Sequence, residues 1–331
     1  GTVQNNAYGK VLLNGIPYDN LEAAITAAQN GDTIYLPAGT YTISDNTCIT
    51  LNKKLTIQGA GPETIIQGSS SQDYNNGLFT FSRGSEGSIL ENLTIKYTSS
   101  ASQCAAVYFT YGFGETNEVT KIQNITFKGS EPLDNERAIA ISSTYIKGGS
   151  VEITGCDIQN FAYGMYFNGI QNLTITGNTI DNTRYNPINI AGDSADYPCE
   201  NITITDNTLT NISVANYPDP AYSSGINLGE HISTVELERN DITMLNDKPA
   251  IHIVPSEDET VQKVSVTYQV DGEVYYMAIV NVQGGTATYQ EPADPTAPSG
   301  YRFDGWDYGT NVRVENGTVT LTVGSDYDFT F

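Results

Sequence analysis

Apolar and polar residues alternate in a short phrase that returns along most of the chain. In each copy two apolar residues flank a Thr or a Glu, as in Leu93-Thr94-Ile95. The other copies are Leu55-Thr56-Ile57, Ile125-Thr126-Phe127, Val151-Glu152-Ile153, Leu173-Thr174-Ile175, Ile202-Thr203-Ile204 and Val235-Glu236-Leu237. A period of two is that of a β-strand with one buried face, so each copy predicts such a strand.

The spacing of these copies indicates a repeat architecture. The step between central residues is 22 residues from Glu152 to Thr174 and 38 from Thr56 to Thr94, as expected for coils with loops of variable length. A second family of strands alternates with the first: Val107-Tyr108-Phe109, Ile139-Ala140-Ile141, Met165-Tyr166-Phe167, Ile188-Asn189-Ile190, Ile226-Asn227-Leu228 and Ile251-His252-Ile253. Two strand ladders with one shared period predict an all-β parallel β-helix of about seven or eight coils.

Four copies of the phrase continue into a polar turn and a further apolar residue. The turn residue is Asn178, Asn207 or Asn240 in three copies and Cys156 in the fourth. Asparagine tolerates left-handed backbone and hydrogen-bonds neighbouring backbone groups, so we expect it to form a tight bend between strands.

A short helix is predicted before the first strand. Residues 21–29 are rich in helix formers, and Leu21, Ala24, Ile25 and Ala28 form one apolar stripe. Because an open solenoid end exposes strand edges and core, this helix is expected to cap the first coil.

The segment after this helix resembles the opening of pectin-lyase-like β-helix proteins. It contains Gly31-Asp32, the apolar strand Ile34-Tyr35-Leu36 and then Ala38-Gly39-Thr40-Tyr41. The resemblance covers roughly residues 15–257 and implies a right-handed parallel β-helix. That superfamily includes lyases, hydrolases, esterases and non-catalytic adhesins, and this chain lacks the activity motifs of its polygalacturonases, pectate lyases and pectin methylesterases.

The pattern changes near Pro255, and the acidic stretch Ser256-Glu257-Asp258-Glu259 is interpreted as a linker. Beyond it, Asp271-Gly272 and Asn316-Gly317 separate alternating apolar runs and predict hairpins. The segment Gly300-Tyr301-Arg302-Phe303-Asp304-Gly305-Trp306 resembles the Listeria–Bacteroides, or internalin B-type, repeat, which implies a small β-rich spacer module. We therefore predict a β-helix domain over 1–257 and this module over 258–331, with Trp306 as its core anchor.

The composition restricts the classes of partner that are expected. With 39% hydrophobic and 16% charged residues the chain is expected to form a packed core, and its net charge is −23. Nucleic acid and anionic membranes are bound mainly through clustered Lys and Arg, so neither is expected as a partner. No apolar run approaches the length of a membrane span. The four cysteines lie far apart and are predicted to be buried free thiols rather than zinc ligands, so no metal site is predicted.

The central residues of the second ladder form the candidate ligand-binding surface. We expect Tyr108, Ala140, Tyr166, Asn189, Asn227 and His252 to point outward and to stack along one sheet. Tyrosine rings stack on sugar C–H faces and amides hydrogen-bond hydroxyls, so such a face suits a glycan. An ordinary solvated sheet face is the alternative interpretation.

A catalytic pair is the second candidate site. Glycoside hydrolysis needs two carboxylates, and Asp193 and Glu230 follow Asn189 and Asn227 on successive coils, with Asp196 and Glu136 as further candidates. A lyase would need a general base. No cofactor is expected unless the protein is a lyase, in which case Ca²⁺ is expected.

These features favour a non-catalytic bacterial cell-surface or secreted protein that binds an extracellular polysaccharide or a host or bacterial surface glycan. Few lysines, abundant Asn, Thr, Ser, Gly and Tyr, and the repeat support export. A polysaccharide lyase or glycoside hydrolase is the alternative, and a structural stalk is a third.

Overall fold

A computed structural model describes residues 9–72, 76–131, 136–254, 262–324 and 328–331. Within these ranges the chain forms an all-β, right-handed parallel β-helix, which confirms the predicted fold. Each coil contributes a strand or part of a strand to three faces, and the described part has eight coils. The sequence had indicated two ladders, and the residues after the polar turn form the third.

The first face contains the repeating phrase and is parallel throughout the solenoid. Its strands are β3 (Thr33–Leu36), β6 (Thr56–Gly59), β9 (Ile89–Ser99), β11 (Val119–Lys128), β13 (Ser150–Thr154), β16 (Asn172–Thr176), β19 (Ile202–Thr205) and β22 (Val235–Glu238). Ile122, Ile153 and Ile175 are in register on successive coils and are fully buried. The alternating pattern therefore becomes a continuous stack of aliphatic side chains inside the solenoid.

The second face follows the polar turn, and the long strands β9 and β11 bend to contribute to it as well. Its other strands are β4 (Gly39–Thr42), β7 (Thr64–Ser70), β14 (Asp157–Phe161), β17 (Thr179–Thr183), β20 (Thr208–Ile212) and β23 (Asp241–Met244).

The third face is a separate eight-stranded parallel sheet among the described residues. It consists of β5 (Ile49–Leu51), β8 (Asn76–Phe81), β10 (Cys104–Phe109), β12 (Ile139–Thr144), β15 (Tyr163–Asn168), β18 (Ile188–Ala191), β21 (Ile226–Leu228) and β24 (Ile251–Ile253). The short helix α2 (Pro220–Ser223) packs against β21.

An asparagine ladder holds the corner between the first and second faces. The side-chain amides of Asn178, Asn207 and Asn240 donate to backbone carbonyls of the preceding coil at 2.8–3.0 Å. The expected left-handed backbone lies one residue earlier, at Gly177, Asp206 and Arg239. Turning there leaves each asparagine side chain directed inward, where its amide hydrogen-bonds backbone groups of the neighbouring coil.

The predicted capping helix is α1 (Leu21–Ala27), which follows the hairpin of β1 (Val11–Leu13) and β2 (Ile16–Tyr18). The Asn20 side chain accepts from the Ala23 N–H at 2.8 Å and begins the helix. All four residues of the predicted stripe are buried: Leu21, Ala24, Ile25 and Ala28. The helix therefore covers the first coil as its apolar spacing indicates.

Lys53 holds the other end of α1, and its replacement tests this contact. Its Nζ donates to the carbonyls of Ile25, Thr26 and Ala28 at 2.8–3.2 Å. We expect Lys53→Met to lower the free energy of unfolding by about 1–2 kcal/mol, because three carbonyls at the helix C-terminus lose a cationic donor.

Lys54→Met is the matched control for that experiment. Lys54 forms an exposed ion pair with Glu118 at 2.7 Å, which is expected to contribute less than about 1 kcal/mol. Urea denaturation together with hydrogen exchange of residues 21–28 gives the comparison. Equal effects of the two substitutions would contradict the role assigned to Lys53.

The C-terminal strands extend the first face through an antiparallel pairing with β22, and in the described ranges their pairings with one another are antiparallel except for one parallel pair. They are β25 (Lys263–Val270), β26 (Glu273–Gln283), β27 (Thr286–Gln290), β28 (Val312–Glu315), β29 (Thr318–Thr322) and β30 (Asp328–Thr330). Both predicted hairpin turns are present, with positive φ at Asp271-Gly272 and at Asn316-Gly317. The predicted linker at 256–259 and the predicted domain boundary at 257/258 lie outside the described residues.

Strand β26 belongs to two cores at once. It pairs with β22, and its Met277 and Ile279 join the core of the solenoid. Tyr276, Ala278 and Val280, on the other side of the strand, join a second core with Tyr268 and Leu321. This double burial explains the nearly continuous apolar run along β26.

Trp306 lies half-buried against the second core. Its ring centroid is 4.7 Å from that of Tyr268 and 4.9 Å from that of Phe303. This position is that of a core residue, as the sequence favoured, since the indole packs against other rings of the same module.

None of the four cysteines, all of which lie in the described ranges, forms a disulfide. Cys104, Cys156 and Cys199 are buried as predicted, whereas Cys48 is exposed because it precedes the strand β5 in a loop. Neither helix of the described ranges is long and apolar enough to cross a membrane.

Candidate functional site

A groove on the outside of the third face is rich in tyrosine. It has a volume of about 460 Å³, which suits a segment of a polymer rather than a whole chain. We call it the tyrosine groove and define it by its aromatic lining: Tyr145, Tyr163, Tyr166, Tyr185, Tyr217 and Tyr222. Arg137, Asp193 and several neutral polar side chains complete the lining.

Five of these rings form a continuous series. The centroid distance is 5.2 Å from Tyr166 to Tyr163 and 4.9 Å from Tyr163 to Tyr185, the latter pair being stacked. Tyr185 then contacts Tyr217 at 5.4 Å, and Tyr217 contacts Tyr222 at 6.3 Å. Tyr217 and Tyr222 are 43% and 48% exposed, so one end of the series is open to solvent.

Three phenols of the groove have pKa values above the usual range. Burial, the largest cause, raises the pKa of Tyr163 and of Tyr166. Burial and the hydroxyl of Tyr217 raise the pKa of Tyr185, although Arg184 and Arg137 act in the opposite direction. Because a raised pKa keeps each of these three phenols protonated, their side chains can donate hydrogen bonds to a ligand but are not available as general bases at neutral pH.

Two arginines contact the central ring. The Arg137 Nη1 donates to the Tyr185 hydroxyl at 3.3 Å, and the Arg184 guanidinium lies 5.3 Å from the centre of the Tyr185 ring. Lys147 lies similarly over Tyr197, at 4.9 Å. These cation–π contacts restrain the aromatic side chains around the groove.

The predicted outward row exists, with one correction. Tyr108, Tyr166, Asn189, Asn227 and His252 occupy one register position of the third face on their coils. Between Tyr108 and Tyr166 the partner is Ser142. The prediction for Ala140 was wrong.

A break in the alternation of β12 explains that error. Ala140 and Ile141 both belong to the solenoid core, whereas Ile139 packs outside with Tyr108 and Tyr163. Two successive residues therefore face inward, and every later residue of the strand is displaced by one position relative to a simple alternation.

Tyr166 lines the groove, whereas Tyr108 lies beneath its neighbours. Tyr108 is almost completely buried, in the outer cluster with Ala105 and Ile139. Burial raises its pKa to about 12. Tyr108 thus supports the wall of the groove from below, and its own ligand-binding role stays a prediction.

The asparagine and histidine side chains at one end of the row contact one another through hydrogen-bonding groups. The Asn227 side chain donates to Asn189 Oδ1 at 2.9 Å, and His252 Nδ1 lies 2.7 Å from Asn227 Oδ1. Asn189 and Asn227 are buried although they point outward. Their binding role, and that of His252, stays a prediction, since all three lie outside the tyrosine groove.

Asp193 and Glu230 lie on adjacent coils, as expected. The Gly192 N–H donates to the Glu230 carbonyl at 2.8 Å, so the two loops run side by side. Asp193 lines the groove and is close enough to Tyr166 to raise its pKa, whereas the Glu230 side chain does not line the groove. Their role as a catalytic pair stays a prediction.

The two further carboxylates lie elsewhere. Asp196 is exposed on the loop of Asp193, outside the groove lining. Glu136 is buried, and its oxygens accept hydrogen bonds from the N–H groups of Ser99, Ser130, Arg137 and Ala138. These contacts occupy the carboxylate with the protein's own backbone, so we assign it a structural role.

Over the ranges that the structure describes, no three His, Cys, Asp or Glu side chains are grouped so that they could hold a metal ion.

Sequence reasoning missed most of the groove, although a signal was present. Tyr163 begins β15, Tyr185 lies three residues before β18, and Tyr217 and Tyr222 lie in the segment before β21. A tyrosine therefore lies at the start of the third-face strand, or shortly before it, on three consecutive coils. The prediction considered the central residues of the strands, whereas the segments before the strands supply much of the lining.

Comparison with known proteins identifies related sequences and folds. A family model described as rhamnogalacturonase A/epimerase, pectate lyase-like, matches residues 18–186. Another, described as a right handed beta helix region, matches residues 137–276. No curated protein matches the chain.

The solved structures to which this chain is similar include a viral protein and a bacterial enzyme module. The ORF18 protein of Geobacillus virus E2 has 12% identity and a TM-score of 0.41, over 85% of this chain and 65% of its own. The chain thus spans less than two thirds of the viral protein. The A-module of the mannuronan C-5 epimerase AlgE6 from Azotobacter vinelandii has 15% identity and a TM-score of 0.21, over 71% of this chain and 94% of its own.

Proposed function

Since the chain belongs to the rhamnogalacturonase A/epimerase, pectate lyase-like family, we propose that it binds a polysaccharide, and that it does so in the tyrosine groove without cleaving it. The observation that carries this proposal is the continuous series of rings from Tyr166 to Tyr222 beside hydroxyl and amide side chains. Aromatic rings pack against the C–H faces of sugars, and protonated phenols and amides hydrogen-bond their hydroxyls.

The charged groups of the groove favour binding over catalysis. Asp193 is the one carboxylate that lines it among the described residues, whereas hydrolysis needs two. Tyr163, Tyr166 and Tyr185 have raised pKa values, so at neutral pH they are not in the deprotonated form that a lyase would need as its base.

The setting of this activity belongs to the same proposal. We propose a secreted or cell-surface bacterial protein whose β-helix, residues 1–257, contacts an extracellular polysaccharide or a surface glycan. The β module, residues 258–331, resembles a Listeria–Bacteroides repeat and would act as a spacer or display element. The composition, poor in lysine and rich in Asn, Thr, Ser, Gly and Tyr, supports export.

Removal of the exposed rings tests the groove. We expect the double variant Tyr217→Ala/Tyr222→Ala to weaken polysaccharide binding about tenfold or more, because two exposed rings lose their stacking contacts with the sugar. Affinity electrophoresis against a panel of plant and bacterial polysaccharides would identify a ligand, and calorimetry would give the affinities of the variants.

Tyr301→Ala is the matched control, since Tyr301 is 79% exposed in the C-terminal module. It should leave the affinity unchanged. Retention of full affinity by the double groove variant, or an equal loss in the control, would contradict binding at the tyrosine groove.

A polysaccharide lyase or glycoside hydrolase is the second candidate, favoured by the position of Asp193 in the groove beside the loop of Glu230. The same panel, assayed for new reducing ends with and without Ca²⁺, separates the two candidates. If the wild type forms product and Asp193→Asn/Glu230→Gln does not, the protein is an enzyme that uses this pair, and the proposal of binding without cleavage is wrong. Product that persists in that variant would keep the enzyme and discard this pair.

A further inference from the structure

The groove itself carries no excess of positive charge. Among the described residues that line it, Arg137 is the cation and Asp193 the anion, and the others are neutral. The Arg137 guanidinium already donates to Tyr185 in the wall of the groove. An acidic sugar would therefore meet one partnered cation and one carboxylate of its own sign.

The charged residues around the groove add no net positive charge to it. Arg184 and Lys147 lie over the rings of Tyr185 and Tyr197 and do not line the groove. Asp196 on one side and Asp219, before α2 on the other, add negative charge. With a net charge of −23 for the whole chain, the long-range field repels a polyanion at low ionic strength.

Proteins that bind acidic polymers against such a field need clustered basic residues or a bridging divalent cation. The described lining supplies neither a basic cluster nor a second carboxylate that would hold a cation with Asp193. What it supplies is tyrosine, together with Ser102, Gln103, Thr144 and Asn168, all uncharged hydrogen-bonding groups.

We infer that the tyrosine groove selects neutral sugars, hexose or pentose units without carboxylate or sulfate, and that Asp193 disfavours acidic ones. This inference rests on the proposed glycan binding and adds its substrate class. The rings would contact the C–H faces of the sugar, the neutral polar groups would contact its hydroxyls, and the Asp193 carboxylate would accept from a hydroxyl but repel an anion.

Matched polymer pairs that differ only in charge test this inference. One pair is fully methyl-esterified homogalacturonan and the same polymer after de-esterification. The other is a neutral galactomannan and the same polymer with its primary hydroxyls oxidised to carboxylates. We expect at least one neutral member to bind and its acidic counterpart to bind at least about tenfold more weakly at low salt.

Salt and a charge variant give two further readouts. The difference within a pair should shrink as salt is added, because screening weakens the repulsion. Asp193→Asn should shift the ratio of acidic to neutral affinity about three- to tenfold toward the acidic member. Asp196→Asn removes the same charge from the same loop outside the groove and should shift the ratio less.

The possible outcomes separate this inference from the function on which it rests. An acidic member that binds as tightly as its neutral counterpart, or that weakens as salt is added, would overturn the selection of neutral sugars and leave glycan binding intact. Binding by no member of either pair, nor by any polymer of the wider panel, would overturn glycan binding, and this inference with it.

Discussion

Replacement of Glu136 with alanine is expected to lower the free energy of unfolding by about 4 kcal/mol. The carboxylate is only 2% exposed. Its Oε1 accepts from the backbone N–H groups of Ser99, Arg137 and Ala138 at 2.7–3.0 Å, and its Oε2 accepts from the N–H and the hydroxyl of Ser130 at 2.8–3.2 Å. Without it, the buried residues Ser99 and Ala138 lose this acceptor, and a buried donor left unpaired costs about 1–3 kcal/mol. The Arg137 N–H also donates to the Ser99 carbonyl and keeps that bond.

The position of Glu136 increases the effect of this loss. The side chain joins the end of β9 at Ser99 to the segment that leads into β12. Two successive coils are thus tied together outside the strand ladder. Because the stability of a solenoid is largely a sum over neighbouring coils, a weakened junction lowers the stability of the whole array.

Glu136→Gln and Glu63→Gln make the experiment specific. The glutamine keeps an oxygen for the three donors of Oε1, so we expect a smaller loss, about 1–2 kcal/mol. Glu63 is exposed, and Glu63→Gln should change stability by less than about 0.5 kcal/mol. Urea denaturation followed by circular dichroism gives the four curves. A Glu136→Ala variant as stable as Glu63→Gln would show that the carboxylate is not needed to satisfy these donors.

Replacement of Asn207 with alanine is expected to cost about 3 kcal/mol. Asn207 is the middle member of the asparagine ladder and is buried. Its Nδ2 shares its two hydrogens among the carbonyls of Ile175 and Thr205 and Asn240 Oδ1, and its Oδ1 accepts from the backbone and the side chain of Asn178. One truncation therefore leaves polar groups unpaired on the coils on both sides.

The ladder also predicts coupling between its members. In a double-mutant cycle with Asn178→Ala and Asn207→Ala, the double variant should lose less stability than the sum of the single losses, because both remove the same Asn178–Asn207 bonds. Asn52→Ala, at an exposed asparagine after β5, is the control. Strict additivity of the two ladder substitutions would show that the amides act independently.

Local patterns were sufficient for much of the fold. The spacing of Leu21, Ala24, Ile25 and Ala28 predicted the capping helix, and all four are buried. Asp271-Gly272 and Asn316-Gly317 predicted two hairpin turns that both have positive φ. In each case one local preference, for helical amphipathicity or for left-handed turn residues, agrees with the tertiary structure and is not overridden by it.

Register was harder to predict, and the candidate site depends on it. The outward position of Ser142 instead of Ala140 follows from the pairing of β12 with β10 and β15. Alternation within a single strand cannot reveal that two neighbouring residues both face inward, because that displacement is imposed by the adjacent coils. Likewise, the five hydrogen bonds of Glu136 come from residues up to 37 positions away, beyond the range of any local pattern.

The sequence by itself determines the repeat architecture. Every coil must bury the same kind of strand face against its neighbours, so the same apolar pattern recurs at each copy of the phrase. The tyrosine groove has no such signature. Tyr163 lies at the start of β15, Tyr185 in the loop before β18 and Tyr222 in α2, and the rings come together only because the coils stack in register and bring these positions to one side of the third face. The stacking of the coils also decides that the Asp193 side chain lines the groove and that the Glu230 side chain, on the neighbouring loop, does not.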